Sequence, residues 1–361
     1  MPTRRKITWT VVIVLAVAIK VFSCFPYAVE HYYSKGIYPG IARVQRILFG
    51  WVPFSIGDLF YLGVILVVLY RLVGLIRALI RKKAQKGWFA ALARRSVFAL
   101  LWVYVLFNGL WGLNYDRLGI ADQLRLTAKP YTTAELQELT SLLAGELNTL
   151  DSTGRLDRSG LSHMARLRSG AIACYDSLET ADPRFGYRAA SVKSSLFSYP
   201  GMFLGFAGYY NPFSGEAQVN TRNPLFTQPY TTCHEIAHQL GYAKENEANF
   251  VGFLAARKSP DPAFRYSVYL DLFLYAVREL YVRDSALARS FRDSLGPGVR
   301  ADLREIQRFN RKYANSLEPM IWALYGKYLA ANRQPNGIAT YSQVTAWLIA
   351  YGRKNGWESL E

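Results

Sequence analysis

Residues Ser96–Tyr115 carry no charge, and no other stretch constrains the fold of this chain so tightly. A helix of about twenty residues spans roughly 30 Å, the thickness of a bilayer's hydrocarbon core. Two earlier stretches share the pattern. Ile7–Phe25 holds only Lys20 as a charge and follows Arg4, Arg5 and Lys6. Leu59–Tyr70 is a shorter apolar centre, extended upstream toward Pro53 and past Arg71, which can snorkel to the interface, toward Leu75. Three transmembrane helices are therefore expected, at about 7–25, 55–76 and 96–115. The first could instead be a signal peptide, but Phe25, Pro26 and Tyr27 follow it where a small-x-small cleavage site would lie, which favours an uncleaved anchor. The alternative for the other two is a soluble helical hairpin.

Charge placement supports the membrane reading. The chain is 51% hydrophobic and only 19% charged, below the usual share for a soluble domain. Its net charge of +17 is concentrated in residues 1–115, where 15 Lys/Arg face 2 acids, against 28 and 24 in the rest. Basic residues clustered between apolar stretches orient spans and do not form a phosphate-binding face, so no nucleic-acid partner is expected. Arg77, Arg81, Lys82, Lys83, Lys86, Arg94 and Arg95 lie between the second and third spans with no acid among them. That loop and the N-terminus should face the cytoplasm, with 26–55 and everything after 115 outside. In a Gram-negative bacterium this gives a multi-pass inner-membrane protein with a periplasmic domain. Cys24, Cys174 and Cys233 form no CxxC pair and no even set, so no disulfide framework is inferred, although a Cys174–Cys233 bridge is open.

Residues 116–361 read as one mostly helical domain with a small β element. Thr133–Leu150 is expected to be a helix capped by Thr133, with Leu136, Leu139, Leu142, Leu143 and Leu147 on one face. Further helices are expected at 161–178, 229–240, 244–257, 264–282, 300–332 (broken once) and 341–351. Residues 194–220, rich in Gly, Tyr, Phe and Pro, read as short strands and turns.

Within the domain, His234-Glu235-Ile-Ala-His238 carries the chemistry. Histidines four apart lie on one helix face, where both imidazoles can hold one Zn²⁺. Glu235 would reach water at the open metal position and serve as general base, then pass the proton to a leaving amine. The alternative is two ordinary histidines on an amphipathic helix. The chain has only four His, and two fall at metal spacing with Glu in the required place. Gly241 is a natural helix stop.

A third ligand is needed. A metzincin-like pattern would put it at 244, but Lys244 cannot serve while protonated. Glu245-Asn-Glu247-Ala-Asn249 resembles the E-x-x-A-D stretch of gluzincin peptidases. That resemblance implies Glu245 as ligand and Asn249 supporting a zinc-bound His, with Asn departing from the usual Asp. Glu247 stays an alternative. Upstream, Glu216, Ala217, Gln218, Val219 and Asn220 are the candidate edge strand for pairing with extended substrate; the alternative is a hairpin strand with no substrate role. Tyr266 is the candidate oxyanion donor, ahead of Tyr242 and Tyr230.

The run Gly215–Phe253, with Arg265-Tyr-Ser267, Tyr325-Gly-Lys-Tyr-Leu329 and Gly337-Ile-Ala-Thr-Tyr341, resembles an uncharacterised family of bacterial multi-span membrane proteins with an extracytoplasmic HExxH domain of zincin or gluzincin type. The resemblance implies a metallopeptidase and gives no substrate. The expected function is thus a membrane-anchored zinc peptidase acting on peptides or proteins. The alternatives are a scaffold or binding protein with a structural or vestigial metal site, and a zinc amidase acting on cell-wall peptides.

Overall fold

A computed structural model describes residues 3–81, 87–152, 158–334 and 343–361. The chain is mainly helical with one three-stranded sheet. Helix α1 (Thr3–Phe22) is followed, after a bend, by Pro26–Ala28, a π-helical stretch Val29–Ile37, and α2 (Tyr38–Gly50). Next come α3 (Ile56–Ile80) and α4 (Trp88–Leu110). Helices α3 and α4 are long and apolar enough to cross a membrane, and Arg5–Phe22 with Pro26–Gly50 would form a third span bent by 102°. Lys82, Lys83, Lys86 and Gly337–Tyr341 lie outside the described residues.

Two span boundaries shift. The third apolar helix runs 88–110 and stops short of 115. Trp111 leaves the helix, and Gly112–Asp116 form a 3₁₀ turn whose Asn114 and Tyr115 are buried. The stretch 26–55, expected to be a simple connection, is largely helical. The buried face of α2 carries Tyr38, Ala42, Gln45 and Arg46, which dock on the rest of the chain, while Val44, Ile47 and Leu48 are exposed.

The remaining elements are α5 (Thr133–Ser152), α6 (Met164–Ala181), β1 (Val192–Ser194), α7 (Ser198–Leu204), β2 (Gly208–Asn211), β3 (Glu216–Val219), α8 (Gln228–Gln239), α9 (Glu245–Ala256), α10 (Pro262–Arg283), α11 (Ser285–Asp293), α12 (Pro297–Tyr313), α13 (Glu318–Ala331) and α14 (Gln343–Asn355). Helix α5 buries Leu136, Leu139, Leu143 and Leu147, as its periodicity requires. Its cap is Thr132, not Thr133: the Thr132 hydroxyl accepts from Glu135 N–H, and the Glu135 carboxylate accepts from Thr132 N–H, a reciprocal capping box. Helices α7 and α11 were not expected; α7 is a two-turn helix inside the aromatic, glycine-rich stretch read as strands. The predicted 300–332 helix is α12 and α13, broken at 314–317.

Strand β3 is central, parallel to β1 and antiparallel to β2. This corrects the expectation of an edge strand at 216–220, since both backbone edges of β3 are already paired. Both its faces are buried. Ala217 and Val219 enter the main core with α8, while Glu216 and Gln218 turn toward the start of α3. There the Glu216 carboxylate accepts from the N–H groups of Gly57 (2.6 Å) and Ile56 (3.2 Å) and from the hydroxyls of Ser214 (2.9 Å) and Ser55 (3.3 Å). A buried anion thus meets first-turn amides that have no intrahelical acceptor. Asp58 accepts from Leu196 N–H (2.6 Å) and from the Tyr209 hydroxyl, fastening the same helix start to the sheet a second time. All three cysteines are free, so the Cys174–Cys233 bridge does not form.

Candidate metal centre

Helices α8 and α9 make the centre. Pro229 occupies the first turn of α8, where its missing N–H costs nothing. The helix ends at Gly241, whose φ of +87° suits glycine, and a Cβ there would lie 2.8 Å from the Tyr38 ring. The short turn brings α9 back across α8, placing Glu245 opposite the two histidines.

Glu245 Oε2 lies 3.2 Å from His234 Nε2 and 3.6 Å from His238 Nε2. The imidazole rings stand at 89° with centroids 4.7 Å apart. One ligand atom from each of His234, Glu235 and His238 can be chosen within 4.8 Å of the others. Around a tetrahedral ion with bonds of about 2.0–2.1 Å, ligand atoms lie about 3.4 Å apart. The two Glu245–His separations bracket that edge, so the donor set fits a divalent ion of zinc's size.

The surroundings fix the donors. His238 Nδ1 lies 2.7 Å from the Tyr242 carbonyl, which can only accept, so Nδ1 carries the proton and Nε2 of the neutral ring is free to bind. The His238 carbonyl accepts from Trp111 Nε1 at 3.0 Å, one residue beyond α4. The Tyr38 hydroxyl donates to the next carbonyl, that of Gln239, at 2.9 Å. Glu245 Oε1 accepts from the Tyr325 hydroxyl at 2.8 Å. Glu235 Oε2 and His234 Nδ1 are buried with no protein partner among the described residues.

Electrostatics follow from that burial. Burial pushes the Glu235 carboxyl up to about 7 against the pull of the two imidazoles. Burial would lower His238, but the Glu245 hydrogen bond and the Glu245 and Glu235 charges raise it to about 9. Glu245 is opposed by burial yet held well below the usual carboxylate range by both histidines. Asp271, on α10, is raised by burial to about 6 while the His234 charge pulls it down.

Several expected site residues lie elsewhere. The Tyr266 hydroxyl is committed to Asp302, and the Arg158 guanidinium stacks 5.1 Å from its ring, so it is not the donor at this centre. Tyr242 donates to Gln123 (2.9 Å) and Tyr230 to the Asn249 carbonyl (2.9 Å). Tyr325 is the tyrosine whose hydroxyl reaches this centre, at Glu245. Its sequence signal was the Tyr325–Leu329 run, which periodicity alone could not attach to a site 80 residues upstream. Glu247 packs against Gly119 and Lys244 rather than between the histidines. Asn249 makes no hydrogen bond to His234 among the described residues, so the supporting role expected of it is not seen. The strand beside Glu235 is β2, not β3: a Cβ at Gly208 would lie 2.7 Å from Glu235 Oε1.

Among protein families, one described as "Protein of unknown function (DUF3810)" matches residues 33–349. The chain belongs to this family. No curated protein and no solved structure matches it. The matched range includes α2, both long apolar helices and the His-Glu-His cluster of this chain.

Proposed function

We propose that this DUF3810 member is a membrane-anchored zinc peptidase that cleaves peptide bonds at the membrane surface, outside the cytoplasm. The observation that carries the reading is the convergence of His234, His238 and Glu245 beside a buried, unpartnered Glu235 oxygen. His234, His238 and Glu245 would hold the ion; when bound, it supplies Lewis acidity and an acidified water. Glu235, poised near neutrality by burial, takes the proton of the attacking water and returns it to the leaving amine. Tyr325 orients Glu245 through its hydroxyl, and that bond makes it the candidate donor to a developing oxyanion. Strand β2 is an outer strand of the sheet, half-buried at Gly208 beside Glu235, and suits an extended peptide better than the central β3 does.

The basic loop between α3 and α4 supports a cytoplasmic N-terminus and an outward-facing centre. Contact between Trp111 and His238 supports cleavage close to the bilayer, within reach of juxtamembrane or lipid-anchored segments. Purified protein should hold about one zinc per chain, lost in His234→Ala and Glu245→Ala. Glu235→Gln should keep the metal and lose cleavage of a peptide library. Undiminished cleavage by Glu235→Gln rejects the proposal.

A further inference from the structure

A cavity of about 330 Å³ opens at the carboxy-terminal end of α8, between α2, the 239–242 turn and residues 184–188. Its lining includes Lys35, Arg43, Arg46, Arg117, Arg184 and Arg188, and no carboxylate among the described lining residues. Nearby acids satisfy part of this charge. Arg117 and Lys35 share Glu30, Arg184 pairs with Asp182, and Arg188 pairs with Glu179. With Asp176 also 3.8 Å from Arg188, four carboxylates face these four cations, and Arg43 and Arg46 are left without a bonded carboxylate among the described residues.

Arg46 is the informative member. It is 5% exposed, and its hydrogen bonds go to the carbonyls of Arg188 and Gln239, not to an acid. A buried guanidinium without a counter-charge is costly unless an anion reaches it. Ser34 Oγ, also lining the cavity, is buried without a partner. The carbonyls at the end of α8 account for the inward donors of Arg46 and Arg117. They do not account for Arg43 or Ser34.

We propose that this cavity binds a phosphate-bearing anion, and that its source is an anionic phospholipid headgroup. Helical spacing carries the second half. On α2, Arg43 falls between Arg46, which faces the cavity, and Ile47, which is exposed beside Val44 and Leu48. The cationic cavity therefore adjoins an outward apolar strip of the kind that lies in a membrane interface. A headgroup could occupy the cavity while its acyl chains run along that strip, as in other basic pockets on membrane proteins. The site does not depend on the peptidase reading, and its test measures no cleavage.

Full-length protein in detergent is examined by native mass spectrometry with phosphatidylglycerol, phosphatidylcholine or neither, and with inorganic phosphate as competitor. Wild type should retain phosphatidylglycerol at least about tenfold better than phosphatidylcholine, because each charge-assisted phosphate contact is worth about that factor. Arg43→Gln, at an exposed residue with no bonded partner among the described residues, should cut the preference several-fold without changing the unliganded melting temperature. Arg46→Lys should cut it further. Inorganic phosphate that binds at millimolar levels with no lipid preference would keep the anion site and overturn its assignment to lipid. Equal retention of both lipids with no phosphate binding, or a preference untouched in Arg43→Gln, overturns the proposal.

Discussion

Replacing Glu216 separates two readings of the same strand. If the residue fastens α3 to the sheet, Glu216→Ala leaves the buried Gly57 amide and the half-buried Ile56 amide without their acceptor. The Ser55 hydroxyl still accepts from Asp58 N–H and the Gln218 amide and loses only the acceptor of its own O–H, a long 3.3 Å bond, and the Ser214 hydroxyl can rotate. The loss is then chiefly two charge-assisted N–H bonds at roughly 1.5–3 kcal/mol each, reduced by any water that enters, or about 4 kcal/mol. Glu216→Gln keeps one acceptor oxygen but loses the negative charge at the helix start and turns an NH₂ toward a donor, about 2 kcal/mol. At roughly 2 °C per kcal/mol for a chain of this size, melting should fall by about 8 °C and 4 °C. The assay is thermal unfolding in detergent by tryptophan fluorescence, paired with hydrogen exchange at residues 56–58. A substrate contact would instead leave melting unchanged and raise KM. Melting of Glu216→Ala within about 2 °C of wild type, with exchange at Ile56 and Gly57 unaltered, would refute the reasoning.

Three further outcomes follow from the centre. Because His238 in the metal-free protein stays protonated below about 9, an incoming ion must displace a proton there. Apparent zinc affinity should fall about tenfold per unit from pH 9 to pH 7, read as proton release by calorimetry in two buffers of different ionisation enthalpy. Tyr325→Phe, which removes the hydroxyl on Glu245, should weaken zinc binding by about tenfold and cut kcat more than KM; unchanged values for both would remove Tyr325 from the site. Gly208→Ala should move the Glu235 carboxylate and lower kcat at least about tenfold with zinc content unchanged, since the added Cβ meets both Glu235 Oε1 and the rigid Gln218 carbonyl. Full activity in Gly208→Ala would show that β2 does not abut the reacting position.

Sequence made the candidate metal-site helix legible because its signal is local. Histidines four apart, Glu beside the first and glycine after the turn are all set within a dozen residues, and Glu245 follows at once. The 3.6-residue pattern likewise located α5, α8, α9 and α10. It failed where packing between distant segments decides. Glu216 alternates with apolar neighbours like an edge-strand residue, and only the arrival of α3, some 160 residues earlier in the chain, makes it an anchor. Tyr266 and Tyr325 are equivalent in sequence; which one reaches Glu245 depends on how α13 folds back, and local propensity does not encode that. Residues 26–50 looked like a connection because their polar side chains break the apolar run, although Tyr38, Gln45 and Arg46 are polar in order to satisfy carbonyls of the other half.

The carbonyls at the end of α8 have a bearing on biogenesis. Those of His238 and Gln239 receive their donors from Trp111, Tyr38 and Arg46, all made well before the catalytic motif leaves the ribosome. A fragment beginning at Asp116 would lack every one of these side-chain donors and would keep only the backbone cap, from Gly241 N–H to the His238 carbonyl and from Tyr242 N–H to the Ala237 carbonyl. The end of α8 is then fully satisfied only on a chain whose amino-terminal third is already in place, so any activity of the proposed centre would be tied to insertion of that third.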